Sequence, residues 1–169
     1  MVGLFNAAIW FGASIFLIVS VDPAATSQEM KVLLGDKNFP YFSIAIGQLV
    51  GGRYFHVFLF CSLVSLLHLL AEWLYLGRNP QRFWTMLLLS LLLGGLLQAW
   101  YIQPRLRQNH LLQFTRPQQG EAAGRNYLFW RGISQALNVF LLAGLGIYLW
   151  RVANPPDVTR FVGTPKFRS

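Results

Sequence analysis

The chain has 169 residues and a net charge of +8, with 54% hydrophobic and 12% charged residues. The charged share is about half of that in soluble domains, and together with a mean hydropathy of +0.43 it indicates an integral membrane protein. The basic residues lie mostly between apolar runs, so lipid phosphates account for them better than nucleic acid, which we exclude as a partner.

Four apolar stretches are long enough to cross a bilayer, whose hydrocarbon core of roughly 30 Å needs about 20 helical residues. In chain order they cover about residues 3–21, 53–76, 83–102 and 127–150. They are predicted to be helices, because backbone groups inside a bilayer must bond within their own segment, and the third is predicted to stop at Pro104. The predicted fold is all-α, an integral membrane four-helix bundle over residues 1–154, followed by a polar extended tail over 155–169.

The link between the first two predicted helices contains a shorter apolar run over residues 39–50. This run is too short to cross a bilayer, so it is predicted to lie at the interface or to lead into the second helix. Gly47 and Gly51 have the small-xxx-small spacing of close helix contacts, but a loop setting is predicted for them and weakens that interpretation.

The second predicted helix carries three ionisable side chains, His56, His68 and Glu72. His68 and Glu72 are four residues apart and share a helix face, whereas His56 lies on another face. Three interpretations stay open: hydrogen bonding of His68 and Glu72 to each other and to a neighbouring helix, ligation of chlorophyll or haem by His68 or His56, and proton or metal handling. No metal site is assigned, because zinc requires three or four convergent ligands.

Other small and polar residues in the helices are predicted to hold the bundle together. Close helix contacts are predicted at five glycines of the spans, Gly12, Gly94, Gly95, Gly144 and Gly146. The intramembrane amides are assigned to helix packing or a polar network, and they are Asn6, Gln98, Gln135 and Asn138.

Basic residues are concentrated near the ends of the predicted helices. Arg131 lies one turn inside the fourth helix and is predicted to reach the lipid headgroups, to pair with a carboxylate of the loops on its side, or to bind an anionic lipid. The candidate carboxylates are Asp22, Asp36 and Glu121. The link after the third helix is predicted to face lipid or partner subunits through Arg105, Arg107, Arg116 and Arg125.

The fourth helix reads FWRGISQALNVFLLAGLGIYLW from residue 129. In it Ser134 follows Phe129 by five residues, and Asn138 follows Ser134 by four. This pattern resembles the last helix of the transmembrane protein 205-like family, which are small four-helix membrane proteins of poorly defined function. Arg131 stands where that family has a histidine. AAIWFGASIFL, YIQPRLR and RYFHVF are similar to other segments of the family. The resemblance implies a four-helix bundle and no established reaction, and Ser134 is assigned to the polar network with Asn138.

The sequence shows no catalytic constellation, since Cys61, the only cysteine, lies among apolar residues without a base at a diagnostic spacing. We predict a non-catalytic accessory subunit that stabilises a larger photosynthetic or respiratory complex and binds lipid or pigment there. One alternative is an oligomeric permease for a small solute or ion, with a path lined by Asn6, His68, Glu72, Gln98 and Asn138. Another is a chlorophyll- or haem-binding protein. The predicted location is a bacterial inner (cytoplasmic) membrane.

Overall fold

The computed structural model describes residues 2–76, 82–115, 118 and 120–154. The helices are α1 (Val2–Phe16), α2 (Asp22–Ala25), α3 (Gln28–Leu34), α4 (Phe39–Leu76), α5 (Arg82–Leu97), α6 (Gln103–Thr115) and α7 (Gly120–Ala153). A π-helical turn over Leu17–Val21 joins α1 to α2, and a second over Gln98–Ile102 joins α5 to α6. The all-α prediction is confirmed. Arg116 and the predicted tail over 155–169 lie outside the described residues.

Within the described residues, four helical segments are long and apolar enough to cross a membrane, in agreement with the predicted number. We name them spans 1 to 4, and they cover Val2–Ala25, Phe39–Tyr75, Arg82–Thr115 and Gly120–Ala153. Each span packs antiparallel against the next, and span 4 closes the bundle against span 1. The direction of spans 1 and 2 follows from the contacts of Asn6 with Ser65 and of Ser14 with Tyr54.

The helices extend well beyond the predicted boundaries. Span 2 begins at Phe39 rather than near residue 53, so residues 39–50 lead into the second helix. With 38 residues, α4 is about 57 Å long at 1.5 Å per residue, roughly twice the thickness of a bilayer core. Span 4 likewise begins at Gly120 rather than near residue 127. The additional turns are helical because they pack against one another beyond the apolar segments, where α4 and α7 both contact α6.

The prediction that the third helix stops at Pro104 is wrong, because α6 continues it to Thr115. Proline lacks an N–H, and its ring clashes with the carbonyl one α-helical turn earlier. The π-helical turn immediately before Pro104 shifts the bonding pattern, with Gln103 N–H donating to the carbonyl of Gln98. Span 1 has the same arrangement, since Asp22 N–H donates to the carbonyl of Leu17 just before Pro23. Two spans therefore pass a proline through a π-helical turn.

The core of the bundle consists of two apolar clusters at different heights. The larger includes Trp10, Phe58, Leu91, Leu145 and Tyr148, and the smaller consists of Ile102, Leu106 and Tyr127. The cavity described below lies between these two clusters.

Glycines allow close approach at only some of the predicted positions. A Cβ at Gly95 would lie 2.6 Å from Phe58 Cε1, and a Cβ at Gly94 would lie 2.7 Å from Leu141 Cδ2. Gly12, in contrast, is exposed, and a Cβ built there meets no atom within 4 Å. The predicted contact of Gly12 with another helix of this chain is therefore wrong, because the residue lies on the outer face of α1.

Candidate functional site

A cavity of about 90 Å³, here called the inner cavity, lies inside the bundle between the two apolar clusters. Phe55 of the larger cluster lines one end, and Leu106 and Tyr127 of the smaller cluster line the other. All four spans contribute polar groups to it, and the polar lining comprises Asp22, Thr26, Ser43, Gln48, Gln103, Arg131, Ser134, Gln135 and Asn138. A space of this size has room for several water molecules or part of a polar ligand.

The inner cavity shares a wall with a second concave site on the outside of the bundle. This outer groove has a volume of about 450 Å³, lies between spans 1 and 4, and is also lined by Ile18, Pro23 and Val139. The shared wall is formed by Asp22, Thr26, Arg131, Gln135 and Asn138. Val139 is 59% exposed and Gln135 is also exposed, so the groove opens sideways from the bundle.

The shared wall carries two opposite charges that are not in contact with each other. Asp22 and Arg131 are close enough to interact electrostatically. Among the residues that the structure describes, contact ion pairs form at Lys31–Asp36 and at His68–Glu72. Of the three carboxylates predicted as partners of Arg131, Asp22 is the one that lines the same cavity. A carboxylate and a guanidinium are thus both available to a ligand in the groove.

The opposite side of the inner cavity is a helical wall of small residues. Gly47 and Gly51 line it from α4, not from a loop, which corrects their predicted setting. A Cβ at Gly51 would lie 3.5 Å from Gln103 Nε2, and one at Gly47 would lie 3.8 Å from Ala25 Cβ. The absence of side chains at these two positions leaves room for the polar groups opposite.

Two amides that line the inner cavity have buried atoms without a hydrogen-bond partner in the described part of the chain. They are the donor Gln48 Nε2 and the acceptor Gln103 Oε1. Buried polar atoms are nearly always satisfied by protein, water or ligand. Both amides belong to the lining of the inner cavity, but these two atoms are themselves buried and are not exposed to its space.

The side chains that α7 contributes to the shared wall follow one another along the helix axis. Arg131, Gln135 and Asn138 are spaced i, i+4 and i+7 and so share one face, with Val139 beside them. From Arg131 to Asn138 the helix rises about 10 Å. The groove thus presents charge at the end of the apolar segment, amides one to two turns further in, and the aliphatic Ile18 and Val139 beside them.

Two predicted packing amides are occupied by contacts inside the bundle. Asn6 Nδ2 donates to the Cys61 carbonyl and to Ser65 Oγ, both at 2.8 Å. Gln98 is fully buried and its Nε2 donates to Ser134 Oγ. These contacts join span 1 to span 2 and span 3 to span 4. Asn138, in contrast, lines the cavity and the groove.

The two histidines of span 2 lie apart from the cavity. His68 Nε2 is 3.4 Å from Glu72 Oε1, and its ring packs over the backbone of Gly3. Nε2 is therefore not open to a metal or tetrapyrrole in this arrangement. His56 is exposed, and its Nδ1 lies 2.7 Å from the Gly52 carbonyl. That bond leaves His56 Nε2 directed away from its own backbone.

The residues predicted to line a permease path are not brought together in one chain. Asn6, His68, Glu72 and Gln98 have the contacts described above, and only Asn138 lines the inner cavity. No cluster of three or more metal-ligating side chains occurs within the described ranges. The oligomeric permease stays a prediction without support from the single bundle.

The predicted basic surface is partly engaged with aromatic rings. The guanidinium of Arg105 lies 4.8 Å from the ring centre of Tyr101 and 5.4 Å from that of Trp130. Arg107 and Arg125 are exposed. These three arginines lie on the side of the bundle that carries the shared wall, where lipid phosphates would meet them.

Sequence reasoning missed several residues of this end of the bundle. Gln48 and Gln103 were not assigned, and Asp22 entered only as a partner of Arg131. His110 is buried between Tyr41, onto which it stacks at 5.0 Å, and Phe114. The i, i+4, i+7 spacing of Arg131, Gln135 and Asn138 was the signal in the sequence for a polar face on α7. The residues of the other spans that face it could be found only once the order of the spans was known.

Comparison of the chain with protein-family models, with curated proteins and with solved structures gave no match. The resemblance to the transmembrane protein 205-like family therefore stays a prediction.

Proposed function

We propose that this protein is a non-catalytic, multi-pass membrane protein that binds a polar or amphiphilic ligand entering from the bilayer between spans 1 and 4. The observation that carries the proposal is the shared wall, where Asp22 and Arg131 face both the inner cavity and the outer groove. Both charges lie at one boundary of the apolar region, where they can bind the polar part of a ligand. For the location we propose a bacterial inner membrane, since four helical spans differ from the strands of outer-membrane barrels.

The dimensions of the site support a small ligand. The outer groove of about 450 Å³ lies within the range of about 300–1,000 Å³ that is usual for small-molecule pockets. Its lining combines aliphatic side chains with a few convergent polar groups, which is the usual composition of such pockets.

A cavity-filling variant tests the proposal. In Gly51→Leu the new side chain would occupy the inner cavity beside Gln103. Native mass spectrometry after mild extraction from membranes is expected to show bound ligand on the wild-type chain and much less on the variant. Gly12→Leu is the matched control, because Gly12 is exposed, nothing lies within 4 Å of its Cβ position, and it lines neither the cavity nor the groove.

Equal ligand retention in wild type, Gly51→Leu and Gly12→Leu would overturn the proposal. The folding of each variant is checked by its helical circular dichroism and by size-exclusion chromatography. If Gly51→Leu does not fold, Gly51→Ala takes its place, since its Cβ would have ordinary van der Waals contacts.

A second candidate function is the accessory subunit of a photosynthetic or respiratory complex that the sequence suggested. The observation that favours it is His56, an exposed imidazole whose Nδ1 is held by the Gly52 carbonyl. An imidazole oriented in this way can ligate a chlorophyll or haem held by a neighbouring subunit. Co-migration with a pigmented complex, with an absorption spectrum that changes in His56→Leu, would support it, and a colourless chain migrating alone would contradict it.

A further inference from the structure

We propose that the ligand of the shared wall is a phospholipid with an ethanolamine headgroup, whose phosphate binds Arg131 and whose ammonium binds Asp22. This inference rests on the proposed function and names its ligand. It depends on the juxtaposition of one guanidinium and one carboxylate, both lining the same groove and neither in contact with the other.

The charges of the wall match a zwitterion better than a simple anion. Arg131 supplies the planar donor set that phosphate oxygens accept. A purely anionic headgroup would leave the Asp22 carboxylate beside a negative charge, whereas an ammonium group can donate to it. Thr26, which also belongs to the wall, adds a hydroxyl beside the same two charges.

The order of groups along α7 matches the order of groups in a phospholipid. The charged end lies at Arg131, where the apolar segment of span 4 begins. Gln135 and Asn138 follow within about 10 Å along the helix, at the depth of the ester carbonyls, to which their amide nitrogens can donate. Ile18 and Val139 complete the groove with aliphatic surface for an acyl chain.

The sideways opening of the groove provides the route. Val139 and Gln135 are exposed on the outside of the bundle, so a lipid can enter without leaving the bilayer. An exposed amide facing hydrocarbon is costly unless it has a partner, and the headgroup region supplies acceptors for it.

A headgroup series on the wild-type protein tests the inference without relying on any variant. Delipidated protein is titrated in native mass spectrometry with dioleoyl phosphatidylethanolamine, its N,N-dimethyl derivative and phosphatidylcholine. We expect binding to weaken by about tenfold along the series. N-methylation removes the N–H groups that donate hydrogen bonds to the Asp22 carboxylate. Equal affinity for all three headgroups would overturn the ethanolamine assignment.

Two charge variants assign the two ends of the headgroup. In Asp22→Asn we expect the preference for phosphatidylethanolamine over phosphatidylglycerol to disappear, and in Arg131→Gln we expect both lipids to bind about tenfold more weakly. Glu121→Gln and Arg82→Gln are charge-matched controls on exposed positions that line neither the cavity nor the groove. An unchanged preference in a folded Asp22→Asn protein would contradict the pairing.

The outcomes separate the inference from the proposed function. If Arg131→Gln weakens the binding of every lipid but the headgroup series is flat, the site binds lipid and the ethanolamine assignment is wrong. If Asp22→Asn and Arg131→Gln both bind every lipid as the wild type does, the proposed site itself is wrong. Competition by soluble glycerophosphoethanolamine at concentrations equal to those of the lipid would show that a water-soluble zwitterion is the ligand, which overturns the lipid assignment.

Discussion

Gln98 shows how single polar side chains hold this bundle together. Its side chain is fully buried, and its Nε2 donates to Ser134 Oγ across spans 3 and 4. The two residues lie between the larger apolar cluster and the smaller one, which begins at Ile102. Because the Gln98 side chain is itself fully buried, its amide depends on Ser134 for a partner.

Removing the hydroxyl of Ser134 is expected to destabilise the fold. In Ser134→Ala the amide of Gln98 loses its partner, and we expect the free energy of unfolding to fall by about 0.5–2 kcal/mol. Reversible unfolding in mixed micelles measures the change. Ser90→Ala is the control, because Ser90 is exposed and bonds only to the Leu87 carbonyl of its own helix. A smaller loss in Ser134→Ala than in Ser90→Ala would show that the contact is unimportant.

A pair of glycine variants tests the packing of spans 2 and 3. In Gly95→Ala the new methyl group would lie 2.6 Å from Phe58 Cε1, and overpacking of this kind costs about 1–3 kcal/mol. Gly12→Ala places its methyl group in open space and is expected to leave the free energy of unfolding unchanged or slightly higher. The same unfolding measurement checks both variants, and similar values for the two would contradict the packing described.

At the scale of residues, the sequence predicted contacts between neighbours on one helix. It missed contacts between residues of different spans. A contact of His68 with Glu72 follows from their spacing on one helix, and in the structure His68 Nε2 lies 3.4 Å from Glu72 Oε1. Gly12 was misassigned because a small residue does not reveal which face of its helix is covered. The meeting of Asp22 with Gln48 and Gln103 depends on the order of the spans around the bundle, which no local pattern contains.

The two π-helical turns are the elements that distinguish spans 1 and 3 from ordinary helices. Each precedes a proline by the same offset, with Leu17–Val21 before Pro23 and Gln98–Ile102 before Pro104. Leu17 and Asp22 at one turn and Gln103 at the other line the inner cavity. The turns therefore place polar side chains at the cavity, and spans 1 and 3 stay helical beyond it.

Because the turn already accommodates the ring, replacing Pro104 is expected to have little effect on stability. We expect Pro104→Ala to change the free energy of unfolding by less than about 1 kcal/mol, although a proline within a regular helix costs about 3 kcal/mol. Leu89→Pro is the matched comparison, because residue 89 lies in the regular part of α5, and it is expected to lose about 3 kcal/mol or more. A gain of about 3 kcal/mol in Pro104→Ala would show that the turn leaves the strain unrelieved.

At the scale of elements, hydropathy located all four spans but not their ends. The apolar stretches reflect the requirement for helices inside a bilayer, and that requirement stops at the membrane boundary. Beyond it, residues 39–52 and 103–115 stay helical because they pack on other helices of the same end. The continuation past Pro104 was missed because a proline usually ends a helix and the π-helical turn has no sequence signature of its own.

At the scale of the whole molecule, the bundle has a closed half and an open half. The larger apolar cluster fills the half that contains Trp10 and Tyr148. The other half contains the inner cavity and carries the outer groove between spans 1 and 4. This asymmetry places the polar groups at one boundary of the apolar region. The packed half limits the access of a ligand to the cavity from the opposite side.

The most direct test of the account is photolabelling in native membranes with a phospholipid that carries a diazirine on its acyl chain. The account predicts that peptide mapping finds the label concentrated near Ile18 and Val139, the aliphatic lining of the groove. We also expect Arg131→Gln to lower this label, because Arg131 lines the groove, and Glu121→Gln to leave it unchanged. Label spread evenly over exposed positions such as Phe60 and Leu93, without enrichment at spans 1 and 4, would contradict the account.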